Sequence, residues 1–190
     1  MSSNTPQRRV LLLATVSAFL LALSACGNDG EVAGTADASA PGTQTIAALI
    51  SRADDLSRVE ELMEDGGLSQ TFDGTAAYTF FAPTDAALDS LGEEFTGEEA
   101  RPALLAMLRR HVVPGYLTAE DIAAAVASNR GPVEMQTMGE GTLTFAMDGE
   151  NVAVSLEEGA ASAVLGEEML GANGVVIPIE GVLADIQPGG

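Results

Sequence analysis

Apolar residues change their spacing several times along this 190-residue chain. Val10 to Leu23 is a run without charge. Gly27 to Gln44, rich in Gly, Ala, Ser, Thr and Asp and containing Pro41, has no hydrophobic period at all and cannot bury enough surface to order itself. Helical spacing begins near Thr45, where Ile46, Leu49 and Ile50 share a face. A second helix is expected from Ser57, with Ser57-x-x-Glu60 as a capping box, Val59, Leu62 and Met63 facing inward, and Gly66-Gly67 as the stop. Ala77 to Ala82 (AYTFFA) is a short β-run ended by Pro83, after which Thr84 or Asp85 caps a helix carrying Ala86, Ala87, Leu88 and Leu91. Thr96-x-x-Glu99 opens a helix with Leu104, Met107, Leu108 and His111 on one face; Pro102 sits in its first turn, and Val112-Val113-Pro114-Gly115 terminates it. Thr118-x-x-Asp121 starts another helix through Ile122 and Val126. After Gly131 the period becomes two. Val133–Thr137, Thr142–Met147, Val152–Leu156, Ala161–Leu165, Val175–Ile179 and Val182–Ile186 read as strands, with Asp148-Gly149 as a hairpin signal. Helices followed by antiparallel strands, without internal repeat, predict one α+β domain with its helices packed on sheet.

The uncharged run changes the picture at the N-terminus. Arg8 and Arg9 precede it, the small residues Ser24 and Ala25 follow it, and it is shorter than the about 20 residues that span a bilayer. A short membrane anchor and an ordinary secretory signal cut near Ala25 are the alternatives to a third reading. Leu23-Ser24-Ala25-Cys26 resembles the lipobox of bacterial lipoproteins, which implies diacylglycerol on Cys26, cleavage before it and acylation of the new amino group. Each buried CH₂ contributes about 0.8 kcal/mol, so two or three chains hold where one is marginal. Gly27, rather than Asp, after the cysteine resembles the pattern exported to the outer membrane of a two-membrane cell. The expected organisation is a signal over 1–25, lipidated Cys26 with a flexible linker over 26–44, and one domain over 45–187. The expected place of work is the bacterial cell envelope, facing the periplasm or the exterior, with the membrane reached through Cys26.

Charge excludes one class of partner. The chain carries 28 acidic and 8 basic residues, all of the latter Arg, for a net charge of −20; loss of residues 1–25 removes Arg8 and Arg9 and no acid, which makes it −22. Nucleic acid needs clustered cations and is excluded. Solubility and weak self-association explain the acidity and fit a monomeric domain, while attraction to cationic partners or divalent ions is the sharper alternative. Without tryptophan and with few aromatics, the core is expected from Leu, Val, Ile, Ala and Met.

Catalytic chemistry has little to work with. His111 is the only histidine and Cys26 the only cysteine, so no zinc site can be assembled, and no cofactor is implied. A Ser-His-Asp hydrolase would have to use His111, and there is no G-x-S-x-G elbow to serve it. The expected role of His111 is structural, hydrogen-bonded to nearby backbone or to the Thr84–Asp85 turn. No calcium loop of alternating acids is present, and Glu93-Glu94, Glu98-Glu99, Glu157-Glu158 and Glu167-Glu168 read as solvated pairs. Gly139 and Gly141 lie between strands and form no phosphate cradle. Thr84, Asp85 and Asn173 read as cap and turn residues.

Three segments resemble one family. FFAPTDAALDSL (Phe80–Leu91), LLAMLRRHVVPGYLTAEDI (Leu104–Ile122) and NGVVIPIEGVL (Asn173–Leu183) are similar, in order and spacing, to the signature blocks of fasciclin domains. Ile177 departs from the histidine usual in the last block, with Pro178 after it and Glu180 for the usual acid, and Arg110 precedes His111 where animal members often have tyrosine. The resemblance covers about Thr45 to Gln187. It implies a wedge of two mostly antiparallel sheets with helices packed on it, and a non-enzymatic module for adhesion or binding, with a protein or polysaccharide as partner. Thr84, Asp85, His111 and Asn173 are its motif residues here and so the candidate interaction residues. The alternative function is a periplasmic binder of a small apolar ligand held between helices and sheet.

Overall fold

A computed structural model of the chain describes residues 42–92, 95, 97–156 and 162–184. The signal, Cys26, the linker up to residue 41, the Thr96 cap, Glu93-Glu94, Glu157-Glu158 and the last residues of the expected Val182–Ile186 strand lie outside the described residues.

Three short helices open the domain: α1 (Ile46–Ile50), α2 (Ser57–Asp65) and α3 (Ser69–Phe72). Thr45 caps α1, its hydroxyl accepting from the Ala48 N–H. Strand β1 (Tyr78–Pro83) follows, then α4 (Asp85–Asp89), a 3-10 turn (Glu98–Ala100), α5 (Arg101–Arg110), β2 (Val112–Pro114) and α6 (Ala119–Asn129). The chain closes with β3 (Val133–Gln136), β4 (Thr142–Asp148), β5 (Asn151–Leu156), β6 (Ser162–Val164), β7 (Met169–Leu170) and β8 (Gly174–Ile179).

The strands form two four-stranded sheets, in the orders β2-β1-β8-β7 and β3-β4-β5-β6. All pairings are antiparallel except the central one, where β1 and β8 run parallel from Tyr78↔Gly174 to Pro83↔Ile179. That exception explains why Tyr78–Ala82 shows no alternation of apolar and polar residues. A parallel pair is buried on both faces, so it needs no alternation. Phe80, Ala82 and Val176 pack into the cluster made with the helices, around Ile50, Val59, Phe72 and Leu108. Phe81, Val175, Ile177 and Ile179 point to the opposite side, into a cluster with Phe145 and Val154 of the second sheet and Ile122 and Val126 of α6. Phe72 stacks on Phe80 at 5.6 Å and Phe81 meets Phe145 at 5.1 Å, one aromatic pair on each side of the central sheet. The second sheet keeps the alternation expected of a half-covered sheet: Leu143, Phe145 and Val154 are buried, while Thr144 and Ser155, in register on the other face, are not.

Several expected elements differ. The Ser57–Glu60 capping box does not form: Leu56 holds the cap position and makes no side-chain bond, and the Ser57 hydroxyl donates to the Asp54 carbonyl instead. Val112–Pro114 is more than a helix stop. It is an edge strand on β1, where Pro114 can face outward without a missing ladder bond. The segment expected as a strand from Val182 has no ladder over its described residues 182–184: Val182 and Leu183 are buried, but the Leu183 N–H goes to a side chain. Helix α3 and strand β7 had no periodic signal to announce them.

Candidate functional site

The motif residues lie at four joints of the fold. Thr84 caps α4, its hydroxyl oxygen accepting from the Ala87 N–H (3.3 Å), and its own N–H donates to the Ile179 carbonyl (3.0 Å), tying the helix start to the end of β8. Asp85 serves a different helix. Its Oδ1 accepts from the Arg58 N–H (2.9 Å) while its N–H donates to the Asp55 carbonyl (2.8 Å), so it supplies from across the chain the cap that Ser57 does not. The Arg58 guanidinium in turn pairs with Asp89.

His111 is fully buried at the C-terminal cap of α5. Its Nδ1–H donates to the Met107 carbonyl (2.9 Å) and its Nε2 accepts from the Leu183 N–H (2.8 Å). The Leu183 donor fixes the neutral tautomer. Burial pushes the imidazole down to about 4, against the smaller upward pull of the Met107 carbonyl. Both nitrogens therefore bond to backbone, one within α5 and one to the segment after β8. The Thr84–Asp85 turn supplies neither partner.

Asn173 uses its whole amide. Its Oδ1 accepts from the Ile46 N–H (2.9 Å), and its Nδ2 donates to the carbonyls of Phe72 (2.6 Å) and Gly74 (2.8 Å). One side chain thus joins the start of α1, the end of α3 and the entry to β8. Gly174 beside it lets β8 approach β1 so closely that a Cβ there would collide with the Tyr78 carbonyl. No hydrogen bond joins any two of Thr84, Asp85, His111 and Asn173 among the described residues, and each has a backbone partner of its own. Their shared motif is spread over the helix–sheet joints.

Two polar contributors were not singled out from sequence. Thr79, buried in β1, donates its hydroxyl to the Gly115 carbonyl (2.9 Å) and accepts from the Leu117 N–H (2.9 Å), holding the turn after β2. Its signal was a hydroxyl in an otherwise apolar strand. Glu168, expected as a solvated acid, accepts from the Ala119 N–H at the start of α6 (2.7 Å). There it adds to the Thr118–Asp121 capping box, in which bonds from the Thr118 N–H and hydroxyl hold the Asp121 carboxyl low. Burial first, and then the Glu168 charge, raise the Tyr116 hydroxyl pKa.

Open clefts lie on the surface. A groove of about 250 Å³ crosses α1, α2 and α3. One of about 680 Å³ lies where α6 passes into β3, and one of about 460 Å³ beside β6 and β8. The helix–sheet interface, where a small apolar ligand would have to sit, is filled by Phe72, Phe80 and Val176 at zero exposure. No helix among the described residues is long and apolar enough to cross a membrane.

Comparison with known proteins places this geometry. The solved FAS1 domain pair of the insect cell adhesion molecule Fasciclin I has a similar fold, with a TM-score of 0.61 and 14% identity over 76% of this chain. The chain spans about half of that structure's length, 52%. No curated protein matches. The family model for the fasciclin domain matches residues 54–185, well over half of the chain, so the chain belongs to the fasciclin domain family.

Proposed function

We propose that this chain is a lipid-anchored binding and adhesion module of a bacterial envelope, recognising a protein or polysaccharide partner without catalysing a reaction. Cys26 carries the lipid, residues 27–44 tether the domain, and residues 45–187 make the contact. The observation that carries the non-catalytic reading is His111: the one histidine of the chain has zero exposure and both ring nitrogens committed to backbone. A general base must reach its substrate's proton, and this one reaches only Met107 and Leu183. Fasciclin domains are generally adhesion or binding modules, and the similar insect protein is itself described as a cell adhesion molecule. Deleting residues 45–187 while keeping the anchor is expected to abolish attachment of the cells to one another or to a coated surface. Attachment that survives the deletion would refute the adhesive role. Hydrolytic activity lost in a folded His111→Ala variant would refute the non-enzymatic one.

A further inference from the structure

Asn173 is followed by Gly174, and the chain has no other Asn-Gly pair. That pair carries a chemistry of its own. Glycine has no side chain to shield its backbone nitrogen, and it leaves the backbone free to bend. In an unrestrained chain the Gly174 nitrogen can reach Asn173 Cγ. A bond forms between them, the Cγ–Nδ2 bond breaks, and the proton of the attacking nitrogen leaves with the amide as ammonia. The product is a cyclic imide. Water then opens the ring at either carbonyl. Attack at Cγ gives aspartate, and attack at the backbone carbonyl gives isoaspartate, in which the main chain runs through the former side chain. Water is the only co-reactant.

In the folded domain that approach is blocked. Three hydrogen bonds occupy both the oxygen and the nitrogen of the Asn173 amide, with partners 99 to 127 residues away. Cγ cannot swing onto the Gly174 nitrogen without breaking them. The backbone is fixed on both sides as well: the Asn173 carbonyl accepts from the Tyr78 N–H (3.2 Å) and the Gly174 carbonyl from the Gly171 N–H (2.7 Å). Both residues are buried. The reaction therefore waits for the domain to open, and its products do not fit back. Aspartate at 173 sets a buried carboxylate oxygen against the carbonyls of Phe72 and Gly74, acceptor against acceptor, with no donor between them. Isoaspartate lengthens the main chain by one carbon beside Gly174, where even a Cβ would collide with the Tyr78 carbonyl. Tyr78↔Gly174 is the first pair of the parallel β1–β8 ladder, so its register is lost. We propose that Asn173-Gly174 is a self-modification site guarded by the fold, inert in the native domain and converted in the unfolded chain to aspartate or isoaspartate, after which the domain does not regain this structure. The chain thus carries a covalent record of its own unfolding, independent of any partner it binds.

The test follows the mass of the full chain, in mild detergent, during incubation in mildly alkaline buffer with and without guanidinium chloride. In denaturant a gain of one mass unit is expected, located at Asn173 by peptide sequencing. In native buffer that gain is expected to be slower by a factor on the order of a thousand or more, the ratio of folded to unfolded chain in a stable domain. Asn151, exposed at the β4–β5 turn but followed by Val152, is expected to show no gain over the same period. Gly174→Ala, compared with the parent only in denaturant, where neither is folded, is expected to lose most of the gain. After dilution of the denaturant the modified fraction is expected to stay sensitive to protease while the unmodified fraction becomes resistant. No gain in denaturant, or an equal gain in Gly174→Ala, would overturn the pair as the site. A gain in native buffer as fast as in denaturant would overturn the guarding by the fold. Modified chain that regains protease resistance would overturn its one-way character.

Discussion

Asn173 satisfies three backbone groups that no helix or ladder would otherwise reach, the N–H of Ile46 and the carbonyls of Phe72 and Gly74. Replacing it removes the partners and leaves at least two of these groups buried and unpaired, at about 1–3 kcal/mol each. Asn173→Ala is therefore expected to lower unfolding free energy in urea by about 3 kcal/mol or more, and a loss below about 1 kcal/mol would contradict the arrangement. His111 makes a prediction of a different kind. Its folded value of about 4 lies below the ordinary 6.5, so the unfolded chain binds a proton that the folded one refuses. The stability it contributes is fully present above about pH 6.5, is lost as pH falls toward 4, and levels off below that. From the two values the loss totals about 3 kcal/mol. Urea midpoints at pH 7 and pH 4 should fall further for the parent than for His111→Gln, which bonds without titrating. Carboxylates such as Asp121 titrate alike in both, so the difference isolates the histidine.

At the scale of elements, α2 is capped by Asp85 rather than by the serine that begins it. Asp85→Ala is expected to cost about 1–2 kcal/mol and to speed hydrogen exchange at Arg58, whereas Ser57→Ala is expected to be nearly silent. The reverse order of effects would restore the local capping box. This pair also shows what the sequence could and could not disclose. Ser57-x-x-Glu60 satisfies a local pattern, but the competing acceptor is 27 residues away and no spacing rule reaches it. Thr118 and Asp121 satisfy the same kind of pattern with no competitor, and there the box forms. The strands of the second sheet were legible because one face is buried and the other is not, so the period of two survives. Strand β2 was not, since Val112-Val113-Pro114 is too short for a period and follows directly on a helix. The motif residues Thr84, Asp85, His111 and Asn173 could be picked out by type, but their backbone partners depend on contacts between distant segments. Gly174→Ala, which drives a Cβ into the Tyr78 carbonyl, is expected to disrupt the β1–β8 pair, measured as loss of the folded fraction at room temperature.

For the whole molecule, the anchor and the acidity act together. A domain of this charge is repelled by anionic lipid, so the membrane attachment proposed above would rest on the acyl chains at Cys26 alone. Cys26→Ser is expected to move the protein from the membrane fraction to the soluble one, and unaltered membrane association would refute lipidation. The parallel pair at the centre has a different consequence. Tyr78 lies in register with Gly174, and β8 with β1 stands between the helical cluster and the second sheet. A chain emerging N-terminus first therefore has its helices, β1 and all four strands of the second sheet in hand before β8 arrives. Closing so distant a contact is slow, because the entropy of the long intervening loop is lost before any native burial compensates for it. Until that moment Phe80 and Phe81 have no β8 beside them. The domain is thus open to proteases and chaperones for nearly the whole of its synthesis, and becomes resistant in a single late step.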